Sequence, residues 1–240
     1  MNMKKYLPPA LKVFCKQLLR KSKDWYTSMH WKLGSTKDEI SSFPYSYQIE
    51  QTIMPGLYFN NKVHNISRGA DAIQNLILQP GEVFSFWHSL GIPNANNGYQ
   101  VSRNIIAGKV AEDYGGGLCQ LASIVYFHAL QMGFDMLERY HHSIDIYQEQ
   151  DRFTPLGADA AVVYAYKDLR FRNPFPFAVR LQTVVSDNKL TCRIESKQEI
   201  QALSIFFERE ELHGKRKVKT YCKTETGASL LSELDYQVLT

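Results

Sequence analysis

Apolar positions recur at two different periods along the chain, and the change from one to the other divides it. Leu11, Phe14, Cys15, Leu18, Trp25 and Met29 fall at helical spacing with Ser22 in the gap. Residues 10–30 are therefore predicted to form an amphipathic helix. Lys12, Lys16, Arg20 and Lys23 lie mainly off that stripe. Residues 34–60 are polar and then aromatic, which reads as a linker followed by irregular structure. Asn65 or Ser67 offers a cap for a helix running to about Leu78, with Ala70, Ile73 and Ile77 on one face and Gln79-Pro80-Gly81 to end it. Val83 to Trp87 reads as a short strand, Leu90 to Tyr99 as turns, and Ile105 to Val110 as a further short strand or bend. Gly115-Gly116-Gly117 then leads into a strong helical pattern. Leu118, Leu121, Ala122, Val125, Ala129 and Met132 form its stripe, Cys119, Ser123 and Tyr126 share another flank, and Gly133 supplies a stop.

Beyond that helix the pattern alternates. Leu137 to Tyr147 places Tyr140, His142, Ile144 and Ile146 on one side of a strand and His141, Ser143, Asp145 and Tyr147 on the other. Asp159 stands at the start of the next strand, just before the apolar run Ala160 to Tyr166. Phe175 to Val185 and Lys189 to Glu195 flank Ser186-Asp187-Asn188 as a hairpin. Ala202 to Phe207 and Lys217 to Cys222 add strands, and the last fifteen residues read as weakly helical. Helices first, then one buried helix, then antiparallel strands make an α+β layout, with the helix carrying Cys119 packed on a mainly antiparallel sheet. Residues 1–34 form a basic amphipathic arm and residues 45–240 the main domain. There is no internal repeat.

Charge sharpens the division. Residues 1–33 hold eight Lys and Arg against Asp24 alone, a net of +7 within a chain total of +4, so the remainder carries −3. The basic character is local, and no nucleic-acid groove across the main body is expected. A basic amphipathic helix over residues 10–30 either packs on its own protein, the commoner case, or rests on an anionic membrane surface. No run of about 18 apolar residues occurs, and Tyr6, Leu7, Pro8 and Pro9 do not make the apolar core of a leader, so the chain is expected to stay in the cytoplasm. Cys15, Cys119, Cys192 and Cys222 are widely scattered and are expected to be free thiols.

Three consecutive glycines before a helix point to a site. Glycine permits positive φ and close approach to a ligand, and the helix start adds free N–H groups and a positive dipole end. Cys119, in the first turn, would be stabilised as the nucleophilic thiolate. The order Cys119, His142, Asp159 supplies a nucleophile, a base and an orienting group. Papain-like and transglutaminase-like folds use the same order of elements, which is an analogy of layout. His141 competes as the base, because a one-residue strand shift exchanges the two faces. Gln120 is a candidate donor to an oxyanion. The loop Asn94 to Tyr99 is a candidate cleft wall, with Arg103 to hold a carboxylate. A catalytic reading calls for no cofactor. Alternatively, Gly115, Gly116, Gly117 and the helix start cradle an anionic group without chemistry, or Cys119, a histidine and Asp159 hold a metal ion.

Several strings together identify a resemblance. Pro80-Gly81-Glu82-Val83-Phe84-Ser85-Phe86-Trp87, Gly98-Tyr99, Gly115-Gly116-Gly117-Leu118-Cys119-Gln120-Leu121, Glu138-Arg139-Tyr140-His141-His142-Ser143 and Asp168-Leu169-Arg170-Phe171-Arg172-Asn173 are similar to the compact form of the VanW-like family, over about residues 45–195. The resemblance marks Gly115, Gly116, Gly117, Cys119, Gln120, His142 and Ser143 as site positions. His141 stands where the family pattern has arginine or proline. The resemblance implies an accessory factor linked to vancomycin resistance and peptidoglycan metabolism, distinct from the ligase and dipeptidase that remodel the precursor. A cell-wall peptide or precursor is then the expected partner. The expected activity is Cys-His-Asp chemistry on amide bonds, and the alternative is a binding module for an anionic precursor.

Overall fold

The computed structural model describes residues 8–106, 109–145, 149 and 152–238. The chain is α+β, with its sheets mainly antiparallel. Helix α1 spans Pro9–Tyr26, begins after Pro8, and is followed by a single 3-10 turn at Met29–Lys32. Strand β1, Tyr45–Thr52, lies where irregular structure was expected and forms one edge of the principal sheet. Helix α2, Phe59–Ile73, starts and stops earlier than its pattern predicts. Tyr58, in the left-handed region, begins it without a side-chain cap. Asn75, also left-handed, turns the chain, so that Leu76–Leu78 becomes strand β2. Those three residues are all buried, and burial on every side lets an apolar run serve as a strand as readily as a helix end.

Strand β3, Val83–Ser85, passes into the short helix α3, Phe86–Leu90, which Ser85 caps by accepting from His88 N–H. Strands β4, Val101–Ile106, and β5, Lys109–Tyr114, pair antiparallel before the glycine run. Helix α4, Leu118–Gln131, is buried nearly all round. A helix that is apolar on every face belongs in a core, and α4 occupies it. Strands β6, Asp135–Glu138, and β7, Ile144–Asp145, are separated by residues 139–143, which are not a strand. The long alternating strand expected from Leu137 to Tyr147 is therefore corrected, and Ile146 and Tyr147 lie outside the described residues. The strand expected from Ala160 is also absent: residues 158–162 run irregularly through the interior.

Strand β8, Arg170–Arg172, joins β3 and β6 in a three-stranded sheet. Strands β9, Val179–Ser186, and β10, Lys189–Ser196, form the expected hairpin, with Asp187 and Asn188 both at positive φ as a tight two-residue turn requires. The principal sheet runs β1-β10-β9-β2. One core of α2, α4 and the two sheets joins Ile66, Ile73, Phe84, Leu121, Ile124, Phe171, Leu181 and Ile194. Strands β11, Ile205–Leu212, β12, Lys215–Thr224, and β13, Gly227–Val238, form a meander, and β7 adds parallel to β13. The weak helix expected at the C-terminus is thus a strand. Leu230, Leu231 and Leu234 look helical in isolation, but ten register pairs with β12 override that propensity.

Helix α1 docks by charge. Asp24 receives Arg170 Nη1 and Nη2 at 2.7 and 2.9 Å, and Arg20 donates twice to Glu138 at 2.8 Å. Arg170 also donates through Nε to Asp168 at 2.8 Å, and Asp168 further accepts from Ser85 Oγ and Trp87 N–H. The charged face of α1 is therefore the inner one. The expected packing of its apolar stripe on the body is corrected: Leu11, Phe14, Leu18 and Trp25 are exposed. Among the described residues, no helix is long and apolar enough to cross a membrane.

Candidate active site

The turn before α4 needs glycine for reasons of backbone and packing. Gly115 and Gly117 take φ of 80° and 101°. A Cβ on Gly117 would lie 2.9 Å from Ile66 Cγ1 and from Lys62 Cγ, and one on Gly115 would lie 2.9 Å from Pro93 Cβ. The space beside these glycines is filled by the protein itself. Asn65, buried on α2, fixes the turn by donating to the carbonyls of Gln100 and Gly116 at 2.9 and 3.2 Å. Leu118 and Gln120 N–H bond back to Gly115 and Gly117, whereas the Cys119 N–H meets no acceptor among the described residues. Such an unpaired donor is the usual condition of a helix start.

The half-buried Cys119 thus sits in the first turn of α4 with its thiol toward residues 160–162, where Sγ donates to the Val162 carbonyl at 3.7 Å. Ser123, one turn on, donates to the Cys119 carbonyl at 2.7 Å and accepts from Ala160 N–H at 2.9 Å. It ties the helix to the irregular segment that carries Asp159.

Asp159 organises the rest. Its Oδ2 accepts from His142 backbone N–H at 2.7 Å and pairs with His142 Nδ1 at 2.6 Å. Its Oδ1 accepts from Tyr236 Oη at 2.6 Å and from Arg139 Nη2 at 3.2 Å. Arg139 also donates to the Asp159 and Gly157 carbonyls, both at 2.8 Å, with its guanidinium 4.7 Å from the centre of the Tyr126 ring. The two histidines are distinguished by these contacts. His142 is held by Asp159, whereas His141 turns away, with Nε2 at 3.2 Å from the Asp235 carbonyl and its ring edge-on to Tyr236. Strand parity does not decide between them, because residues 139–143 are not a strand.

Electrostatics couple the three groups. Burial pushes the Cys119 thiol up, but hydrogen bonding to His142 and its charge outweigh this and bring the thiol below its ordinary value. Burial acts to lower His142, yet Asp159 and Cys119 together raise it to about 10. Burial would raise Asp159, but His142, Arg139 and Tyr236 hold it well below the usual carboxylate range. Burial and the adjacent Asp159 keep Tyr236 above an ordinary phenol, so that it remains a protonated donor. All three pull toward a thiolate–imidazolium pair beside an ionised carboxylate.

The remaining candidates fall elsewhere. Gln120 is buried, and its amide donates to the Thr52 carbonyl at 2.9 Å, joining α4 to β1. Ser143 is exposed, and its carbonyl accepts from Gln237 N–H. Arg103 stands on β4, and its side chain lies outside the described residues. Pro93, at the start of the Asn94 to Tyr99 loop, abuts Gly115, and Arg68 on α2 holds the loop through the Asn97 carbonyl. Among the described residues no group of three His, Cys, Asp or Glu is arranged to hold a metal ion. Arg139 and Tyr236 were missed by sequence reasoning. Arg139 falls within a string already noted, but Tyr236 carries no local signal at all.

Fold and site together define an α+β protein that sets a helix-start cysteine against a histidine–aspartate pair. The chain belongs to the VanW family, described as VanW like protein, which matches residues 61–195. It is 34% identical over 129 residues to the uncharacterised protein YoaR of Bacillus subtilis (strain 168), covering 51% of this chain and 41% of that protein. It is 26% identical over 147 residues to the vancomycin B-type resistance protein VanW of Enterococcus faecalis (strain ATCC 700802 / V583), covering 61% of this chain and 54% of that protein. The chain thus spans about half the length of the curated relatives it matches. No solved structure matches it.

Proposed function

We propose that this chain is a cysteine-dependent enzyme acting on amide bonds of cell-wall peptides or peptidoglycan precursors. The observation that carries the reading is the His142–Asp159 pair, with Nδ1 of His142 2.6 Å from the carboxylate, and the Cys119 thiol is brought below its ordinary value by the same imidazole. Its substrate class rests on likeness to a relative named for vancomycin resistance.

The chemistry balances without a cofactor. The Cys119 thiolate attacks the carbonyl carbon, forming a C–S bond as the C–N bond breaks. The His142 imidazolium gives its proton to the departing amine. The unpaired Cys119 N–H, at the positive end of α4, is the natural donor to the oxygen that gains charge. Water or a second amine then attacks the thioester, His142 takes its proton, and the C–S bond breaks. Gln120 is engaged with Thr52, so the helix N–H takes the stabilising role here.

An anion cradle in the glycine turn has less support, because the Cβ side of Gly115 and Gly117 is occupied by Pro93, Ile66 and Lys62. The test is turnover of peptidoglycan stem peptides, followed by mass spectrometry, with wild type beside Cys119→Ser. Product formation that disappears in a folded Cys119→Ser protein supports the reading. Undiminished turnover by Cys119→Ser overturns it, as does ligand binding without turnover in both proteins.

A further inference from the structure

Helix α1 shows its faces the wrong way round for a helix that serves only its own core. At roughly 100° per residue, Leu11, Phe14, Leu18, Leu19, Trp25 and Tyr26 fall within an arc of about 140°. That arc is open to solvent: Phe14 is 58% exposed, Leu19 63%, Trp25 69% and Tyr26 85%. The opposite arc carries Arg20 and Asp24, which are committed to Glu138 and Arg170. The ion pairs therefore fix the apolar stripe outward, since turning it inward would break both. An apolar stripe about four turns long, with two adjacent aromatic residues, is a large exposed patch for a soluble protein and marks a contact surface.

Charge identifies what covers it. Lys12 and Lys23 flank the stripe on one side and Lys21 on the other, and this arm holds a net of +7 while the rest of the chain carries −3. A second copy would bring these like-charged flanks against each other. An anionic lipid surface accepts both features: the apolar arc enters the acyl boundary, the lysines reach the headgroups, and Trp25 and Tyr26 take the interfacial depth that such rings favour. We propose that α1 is a docking helix that seats this protein on an anionic bilayer, apolar stripe inward to the lipid and ion-paired face toward the body. The proposal is independent of the chemistry at Cys119.

The test is flotation of the full chain with phosphatidylglycerol–phosphatidylcholine vesicles, against vesicles of phosphatidylcholine alone, with sedimentation of the free protein alongside. Binding to the anionic vesicles, weakened by salt, is expected. Phe14→Glu/Leu18→Glu is expected to lose at least tenfold in apparent affinity while keeping the wild-type melting temperature, because both side chains are exposed. Lys12→Glu/Lys21→Glu/Lys23→Glu, which leaves the apolar stripe untouched, is expected to do the same. A blue shift of tryptophan emission on vesicle binding that Trp25→Phe removes places α1 at the lipid. Equal binding to neutral vesicles, no binding to either, or self-association that Phe14→Glu/Leu18→Glu abolishes without any vesicle binding would each overturn the proposal.

Discussion

The Tyr236 hydroxyl donates to Asp159 Oδ1 at 2.6 Å, across 77 positions of sequence. A strand beyond the family-matched stretch thereby reaches back to the carboxylate that holds His142. Tyr236 packs with Leu156 and Val218 in a small core of its own, so the meander β11–β13 and the site loop are one packed unit. Tyr236→Phe keeps the ring and removes the donor. A hydrogen bond to a charged buried group is worth about 1.5–3 kcal/mol, and urea unfolding is expected to show a loss of that size. A change under 0.5 kcal/mol would mean that Arg139 and His142 satisfy Asp159 without it.

The pH dependence of stability follows from the same carboxylate. His142 is raised from 6.5 to about 10 in the folded chain. Its contribution is fully present below pH 6.5 and is lost as pH rises through the folded value. Asp159 is depressed, so its contribution is present above the ordinary carboxylate range and lost only in acid. Cys119→Ala removes the thiol coupled to His142 and leaves Asp159 as the group raising it. In that background the cost of His142→Ala is expected to shrink between pH 6 and pH 10.5, read from urea midpoints. A constant cost across that interval would show that the imidazole gains no charge-dependent stability from Asp159.

The glycine run separates backbone strain from packing. Gly117→Ala places a Cβ at φ of 101° and against Ile66 and Lys62, whereas Gly81, at φ of 79°, has nothing within 4 Å of its Cβ position. Thermal melts are expected to show about 2–4 kcal/mol lost in Gly117→Ala and about 1–2 kcal/mol in Gly81→Ala. Equal losses at the two positions would mean that the α2–α4 contact relaxes freely.

Much of the fold was legible where local chemistry decides it. The α4 stripe, the Gly133 stop and the β9–β10 turn all rest on neighbours in sequence, and each appears near its expected place. Strand β1 was legible but missed: Tyr45, Tyr47 and Ile49 alternate with Ser46, Gln48 and Glu50 at the strand period, and β10 pairs with it in the fold. Asp24 and Arg170, 146 positions apart, turned α1 over, and no periodicity along α1 could show that. Cys119, His142 and Asp159 were each visible as candidates. The reason His142 meets Asp159 was not, because it depends on an irregular segment rather than on a strand face.

The central claim is that His142 holds Cys119 toward the thiolate, and the rate of Cys119 alkylation against pH tests it most directly. Exposed Cys15 serves as the control, and Cys192, pushed up to about 12 by burial, stays silent. The account predicts a Cys119 midpoint below the free-thiol value of about 8.5, rising above it in His142→Ala, where burial acts without the imidazole. A midpoint unchanged by His142→Ala, or a thiol that reacts only on unfolding, would contradict it.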